Sequence, residues 1–268
     1  MPSDPGGPAN PDRRSPAARV IGPVALHGGG EFLPGDEPFL DALLAAGAAR
    51  ARDRSIRVVV VPTAAARGRP DLAAANGVAA FQRVGAATGR AVDAVEVRVV
   101  GAASAEDRGL AGELAQADVI HLPGGDPDLI PTIMPGTNAW AAIGEAHANG
   151  AVLAGASAGA MALASWTWTP GGGMGGLMVV RGFAVVPHAK AGTWEALVGR
   201  FVAWAPDDLG ALGLAERTGV IEEPIEPDAT HVRWRVVGPG EAFWMAAAGG
   251  RTVTARSGER IETPVIPL

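Results

Sequence analysis

Residues 151–165, AVLAGASAGAMALAS, constrain what this chain can fold into more than any other stretch. Three apolar residues (Ala151, Val152, Leu153) lead into Gly155-Ala156-Ser157-Ala158-Gly159, and a run of good helix formers follows. That order reads as strand, sharp turn, helix. A serine at such a turn is pushed out beyond the sheet edge in a strained conformation, and only small neighbours fit around it. Its hydroxyl then lies at the positive end of the following helix, where free backbone N–H groups can meet a developing oxyanion. The plain alternative is a Gly/Ala-rich strand–helix turn with an incidental serine, because G-x-S-x-G alone is a common pattern.

The rest of the chain supplies a sheet for that turn. Short apolar runs alternate with helical segments from Val20 onward. Strands are expected at 24–26, 57–61, 94–100 and 119–122, and helices at 37–51, 71–88, 105–116 and 140–149. The run RVVVV at 57–61 is apolar on both faces, as a strand covered on both sides must be. Such alternation implies an α/β fold with a mostly parallel sheet and right-handed crossovers, whose sites lie beyond the carboxyl ends of the strands. Three glycine-rich loops fall at such ends: 28–30, 124–125 and 155–159. After the serine helix, 169–176 reads as a flexible loop and a candidate lid. A strand at 178–186 delivers Pro187-His188, a helix covers 193–203, and 208–215 leads to a strand at 219–222. Alternating segments at 232–237, 242–246 and 251–255 form a small antiparallel C-terminal part. Residues 1–19, rich in proline and glycine, read as a disordered tail, and 20–268 as a single domain.

Composition excludes several classes. The net charge is −6 with no basic block, which argues against nucleic acid as a partner. No stretch is apolar enough to span a bilayer, so no membrane partner is expected and a cytoplasmic location is. Absence of cysteine removes disulfides, thiolate metal sites and any thiol nucleophile. The histidines lack ligand spacing, so neither a metal nor another cofactor is expected.

If Ser157 is a nucleophile, it needs a base. His121 lies within a buried strand and reads as packing; His147 reads as a solvated helix-end residue; His27 sits at the first glycine loop and its role is open. His188 is the best base, because a strand ending in Pro-His aims a ring at the sheet edge that carries Ser157. An α/β-hydrolase esterase would instead run serine, acid, histidine along the chain, with Asp207 or Asp208 and then His231. A non-catalytic binding protein of the same fold is the other alternative.

The motifs GGGE (28–31), VVVPTAA (59–65), ADVIHLPGGDPDLI (117–130), GASAGAMALA (155–164), VVPH (185–188) and LGLAE (212–216) together resemble one family. It is the serine peptidase family of aspartyl dipeptidase (dipeptidase E) and cyanophycinase, whose fold is similar to that of class I glutamine amidotransferases. The resemblance implies a three-layer α/β/α sandwich. It also implies Ser157 as nucleophile, His188 as general base and Glu216 as the residue orienting it. The N–H groups of Gly125 and Ala158 would form the oxyanion hole, with Gly124 allowing close backbone approach. Asp126 reads as a helix cap and is also a candidate for substrate binding. The implied substrate is a small peptide, aspartyl or β-aspartyl in the two known branches. Lys190 and Arg200 are candidates for a substrate carboxylate, and Glu31 for a substrate amine or else a helix cap. Trp166, Trp168 and Trp204 suit either a homodimer interface or the core.

Overall fold

A computed structural model describes residues 21–203, 205–224, 229–247 and 250–266. The expected tail and Trp204 lie outside them. The chain runs β1 (Val24–His27), α1 (Glu37–Ala51), β2 (Ile56–Val60), α2 (Pro70–Thr88), β3 (Val92–Glu96), α3 (Ala102–Ala105) and α4 (Arg108–Ala115). It continues through β4 (Val119–Leu122), α5 (Leu129–Ile133), α6 (Asn138–Ala148), β5 (Val152–Ala156), α7 (Ala158–Leu163), β6 (Trp166–Thr169), β7 (Gly172–Gly175) and β8 (Phe183–Val186). The last elements are α8 (Ala191–Val202), β9 (Gly210–Leu214), β10 (Gly219–Glu222), β11 (His231–Val237), β12 (Glu241–Met245), β13 (Thr252–Arg256) and β14 (Arg260–Pro264).

The central sheet has the strand order β14-β11-β10-β1-β5-β4-β2-β3, and β1, β5, β4, β2 and β3 pair in parallel. Side chains alternate across it. Val58, Val60, Val152 and Ala154 pack with α1 and α2 through Phe39, Leu43 and Phe81, while Val59, Ile120 and Leu153 face the opposite core with Ile143 of α6 and the residues of α7. Period-2 alternation with both faces apolar is what a sheet inside a layered α/β fold requires.

A second sheet, order β13-β12-β9-β8-β6-β7, stacks on the antiparallel extension of the first. Its Phe183, Val185, Leu212, Leu214 and Trp244 meet Val220, Trp234 and Val236, and its other face, with Val186, Ala211 and Phe243, is covered by Trp194 and Phe201 of α8. The C-terminal strands are therefore divided: β10, β11 and β14 extend the central sheet, and β12 and β13 join the second.

Two local expectations need correction. The segment 169–176 is not a free loop but part of the β6–β7 hairpin, with Trp166 opposite Gly175 and Trp168 opposite Gly173. Gly173 is there for contact, since a Cβ on it would lie 1.8 Å from Trp166 Cζ2. Trp166 is buried and Trp168 half-buried. The helix expected at 105–116 is broken near its start: Ala105 ends the short α3, and only 108–115 form α4. Its break is at Asp107, whose carboxylate caps α4 by accepting the N–H groups of Gly109 and Leu110 at 2.7 and 3.1 Å.

Candidate active site

The parallel strands bring the ends of β1, β4 and β5 to one edge, and β8 and β9, parallel in the second sheet, bring two more ends to the same place. Ser157 follows β5 directly, with φ 48° and ψ −114°, a region a non-glycine residue holds only at a cost of about 1–3 kcal/mol. The flanking glycines make the turn possible. A Cβ on Gly155 would stand 2.5 Å from the Gly159 carbonyl carbon, and one on Gly159 would stand 2.0 Å from the Leu122 oxygen.

Ser157 Oγ lies 3.2 Å from His188 Nε2, and His188 Nδ1 lies 3.2 Å from Glu216 Oε1. His188 follows β8 with φ 56°, and Arg217, just after Glu216, has the same value. Both side chains of the pair are about half exposed (49% and 43%), so the arrangement opens to solvent.

Behind the serine, the loop after β4 is drawn in close. Gly124 donates its N–H to Glu31 Oε1 at 2.7 Å, and its missing side chain leaves room for Ser157 Cβ. Gly125 has φ 152° and presses against the Ala64 carbonyl, which also accepts the Asp126 N–H at 2.7 Å. The Gly125 N–H has no hydrogen-bond partner among the described residues, and Ala158 is the first residue of α7, a position with no i−4 carbonyl inside the helix. The Glu31 carboxylate therefore neither caps α1 nor stands free: it holds the glycine loop.

The remaining candidates lie as follows. Asp126 is not a cap, because α5 begins after Asp128 and the Asp126 side chain sits 3.7 Å from Arg67 instead. Lys190 occupies the N-cap position of α8, exposed and making no ion pair among the described residues, and it lines a cavity of about 690 Å³ with Ala189, Ala215, Glu241, Phe243 and Arg256. Arg200 is in the last turn of α8, roughly 15 Å along the helix from Lys190 at 1.5 Å per residue, and is not brought to the site. His147 is not solvated: its Nδ1 lies 3.0 Å from the Ala151 carbonyl, and burial pushes its pKa down.

The esterase arrangement is excluded by topology. His27 pairs with Gly219 and Gly219 with Val237, so the site edge corresponds to the end of β11, whereas His231 begins that strand. Six residues at about 3.4 Å each put it roughly 20 Å away at the opposite edge. Asp207 and Asp208 precede β9, also opposite the end that leads to Glu216.

His27, whose role the sequence leaves open, is wholly buried beneath the site and not in it. His121 is buried between Phe32 and Phe81, as its strand position implies. Among the described residues no cluster of His, Asp and Glu could hold a metal ion, and no helix is long and apolar enough to cross a membrane.

Comparison with known proteins assigns the chain to a family. Residues 25–218 match the model of peptidase family S51, a span that includes Ser157, His188 and Glu216. The chain belongs to peptidase family S51. It is a serine-type peptidase. Its fold is similar to that of a peptidase from an acI-B1 actinobacterium, with 23% identity over 92% of this chain and 98% of that one and a TM-score of 0.74. A putative peptidase E protein from Listeria monocytogenes EGD-e is more distant, with 15% identity, coverage of 88% and 99% and a TM-score of 0.47. No curated protein matches the sequence.

Proposed function

We propose that this S51 peptidase hydrolyses short peptides through a Ser157–His188–Glu216 triad and an acyl-enzyme. The observation that carries the reading is the pair of 3.2 Å contacts linking the three side chains in series. In this mechanism Ser157 Oγ attacks the scissile carbonyl carbon while His188 Nε2 takes its proton. Glu216 keeps the Nδ1–H tautomer in place and stabilises the imidazolium. The tetrahedral oxyanion is met by the N–H groups of Gly125 and Ala158, donors left free beside the serine. His188 then gives the proton to the leaving amine as the C–N bond breaks. A water molecule, deprotonated by His188, repeats the sequence on the ester and releases the acid.

Aspartyl and β-aspartyl dipeptides are the first substrates to test, since the family resemblance suggests them. Lys190, close in sequence to His188 and exposed, is the side chain we assign to a substrate carboxylate. Turnover of such dipeptides, followed by release of free amino acid, should fall by at least about 10³-fold in Ser157→Ala without loss of fold. Near-normal turnover by that variant would refute the reading. Free-acid dipeptides should be preferred over their C-terminal amides in the wild type, and Lys190→Met should erase the preference. A preference unchanged in the variant would remove Lys190 from the site.

A further inference from the structure

One short segment, residues 27–31, touches every part of the proposed site. The His27 carbonyl accepts the Ser157 N–H at 2.9 Å, and the Gly28 carbonyl accepts the His188 N–H at 2.8 Å. The Gly29 carbonyl accepts the N–H of Arg217, the neighbour of Glu216, at 2.8 Å. Glu31 takes the N–H of Gly124. A segment bonded to all four sets their relative positions.

Its own path is strained and needs support. Gly29, Gly30 and Phe32 all have positive φ (101°, 69° and 68°), and for a phenylalanine such a value persists only where the surroundings impose it. The support is a buried pair. His27 and Asp36 are both 0% exposed. His27 Nδ1 accepts the Gly29 N–H at 3.3 Å, which assigns the ring proton to Nε2, and Nε2 lies 2.9 Å from Asp36 Oδ1, a close polar contact off the line of a hydrogen bond that leaves each atom with no other partner among the described residues. The other oxygen of the same carboxylate accepts the Phe32 N–H at 2.8 Å. Asp36 thus holds one end of the stretch 29–32 by a hydrogen bond and reaches the other through its contact with the His27 ring, on which Phe39 packs at 4.6 Å. Burying a carboxylate costs more than a well-packed apolar group would, so its presence here needs a reason beyond stability.

We propose that Asp36, acting through the His27 ring and the Phe32 amide, is a positioning residue for the hydrolytic site: it holds the 28–31 loop against Ser157, His188 and Gly124. The inference rests on the triad reading above. It makes a buried carboxylate–imidazole pair, outside the triad and touching no substrate, necessary for turnover.

The test uses the full chain with Asp36→Asn, His27→Ala and His27→Asn, and with Val84→Ala as a core variant in α2. For each, Tm is measured, and turnover and the rate of labelling by a fluorophosphonate are read at a temperature where all are folded. Asp36→Asn and His27→Ala should lower kcat and the labelling rate by about 10- to 100-fold, with KM within about threefold, as a misplacement approaching 1 Å does. His27→Asn, whose amide oxygen can take the Gly29 N–H, should recover a large part of the loss seen in His27→Ala. Val84→Ala should keep the wild-type rates despite its lower Tm. Should Asp36→Asn fail to fold, the two His27 variants carry the test. Rates in Asp36→Asn and His27→Ala no lower than in Val84→Ala would overturn the inference while the triad reading stood. A wild-type protein that takes no label would overturn the triad reading and this inference with it.

Discussion

Replacing Gly29 by alanine would put a methyl group where the His188 imidazole now lies. A Cβ on Gly29 would stand 2.4 Å from His188 Cε1, 2.9 Å from Nε2 and 3.0 Å from Nδ1. Carbon atoms in contact prefer about 3.5 Å, so the ring has to retreat by roughly 1 Å. Both hydrogen bonds of the ring are already 3.2 Å long, and a retreat of that size breaks at least one of them. A misplacement near 1 Å costs about 10² in rate, or roughly 2.7 kcal/mol of barrier. Alanine at φ 101° adds about 1–3 kcal/mol of backbone strain, which in a chain of this size lowers Tm by several degrees. The assay is steady-state hydrolysis of a dipeptide beside a thermal melt. The expected result is a kcat down about 100-fold with KM changed much less. A folded Gly29→Ala protein with wild-type kcat would show that the working imidazole is not the one packed on Gly29, and the whole placement of the base would fail.

Other perturbations separate the parts. Glu31→Ala removes the acceptor for the Gly124 N–H and should lower kcat by about 10- to 100-fold through loss of oxyanion stabilisation. Glu31→Gln, which still offers an oxygen, should keep most of the activity, and equal kcat losses in the two variants would refute the role. His121 is held down to about 3 by burial and by the neighbouring His27, whereas in the unfolded chain it titrates near 6.5. The unfolded state alone therefore takes up its proton between those values, so stability is fully present above pH 6.5 and falls as the pH drops toward 3. Urea unfolding at pH 7 and pH 5 should show a loss of about 2 kcal/mol that His121→Leu largely abolishes, and an equal loss in the variant would contradict it. Gly159→Ala should unfold the elbow outright or cost several kcal/mol, because its Cβ meets a carbonyl oxygen that the sheet cannot move; a melt within 2 °C of wild type would refute that.

Much of the site was legible because its parts are local in sequence. Ser157 is marked by its glycines, and those glycines prove to be the only residue type their neighbours admit. His188 was legible from a strand ending in Pro-His, and the three glycine loops from their places after strands. Glu216, at an exposed strand end, had no such mark and was reached through the family resemblance. What pattern alone did not reveal depends on packing across the chain. Alternation in 232–255 announces strands but not which sheet each joins, since the division follows from Trp234 and Trp244 packing into the core between the two sheets. The glycine run at 169–176 reads as freedom, but it pairs with β6 as a hairpin and Gly173 lies against Trp166. The bracing of His27 by Asp36 joins residues nine apart across a loop with no regular period. Neither helical nor strand spacing could have announced it.

Everything proposed for this site depends on activation of Ser157 by His188. The most direct measurement is labelling with a fluorophosphonate, read by intact mass and peptide mapping, on the wild type and on His188→Ala. The expected result is one adduct, on Ser157, formed by the wild type and lost in the variant. A folded wild type with no adduct, or an adduct that forms as fast in His188→Ala, would contradict it.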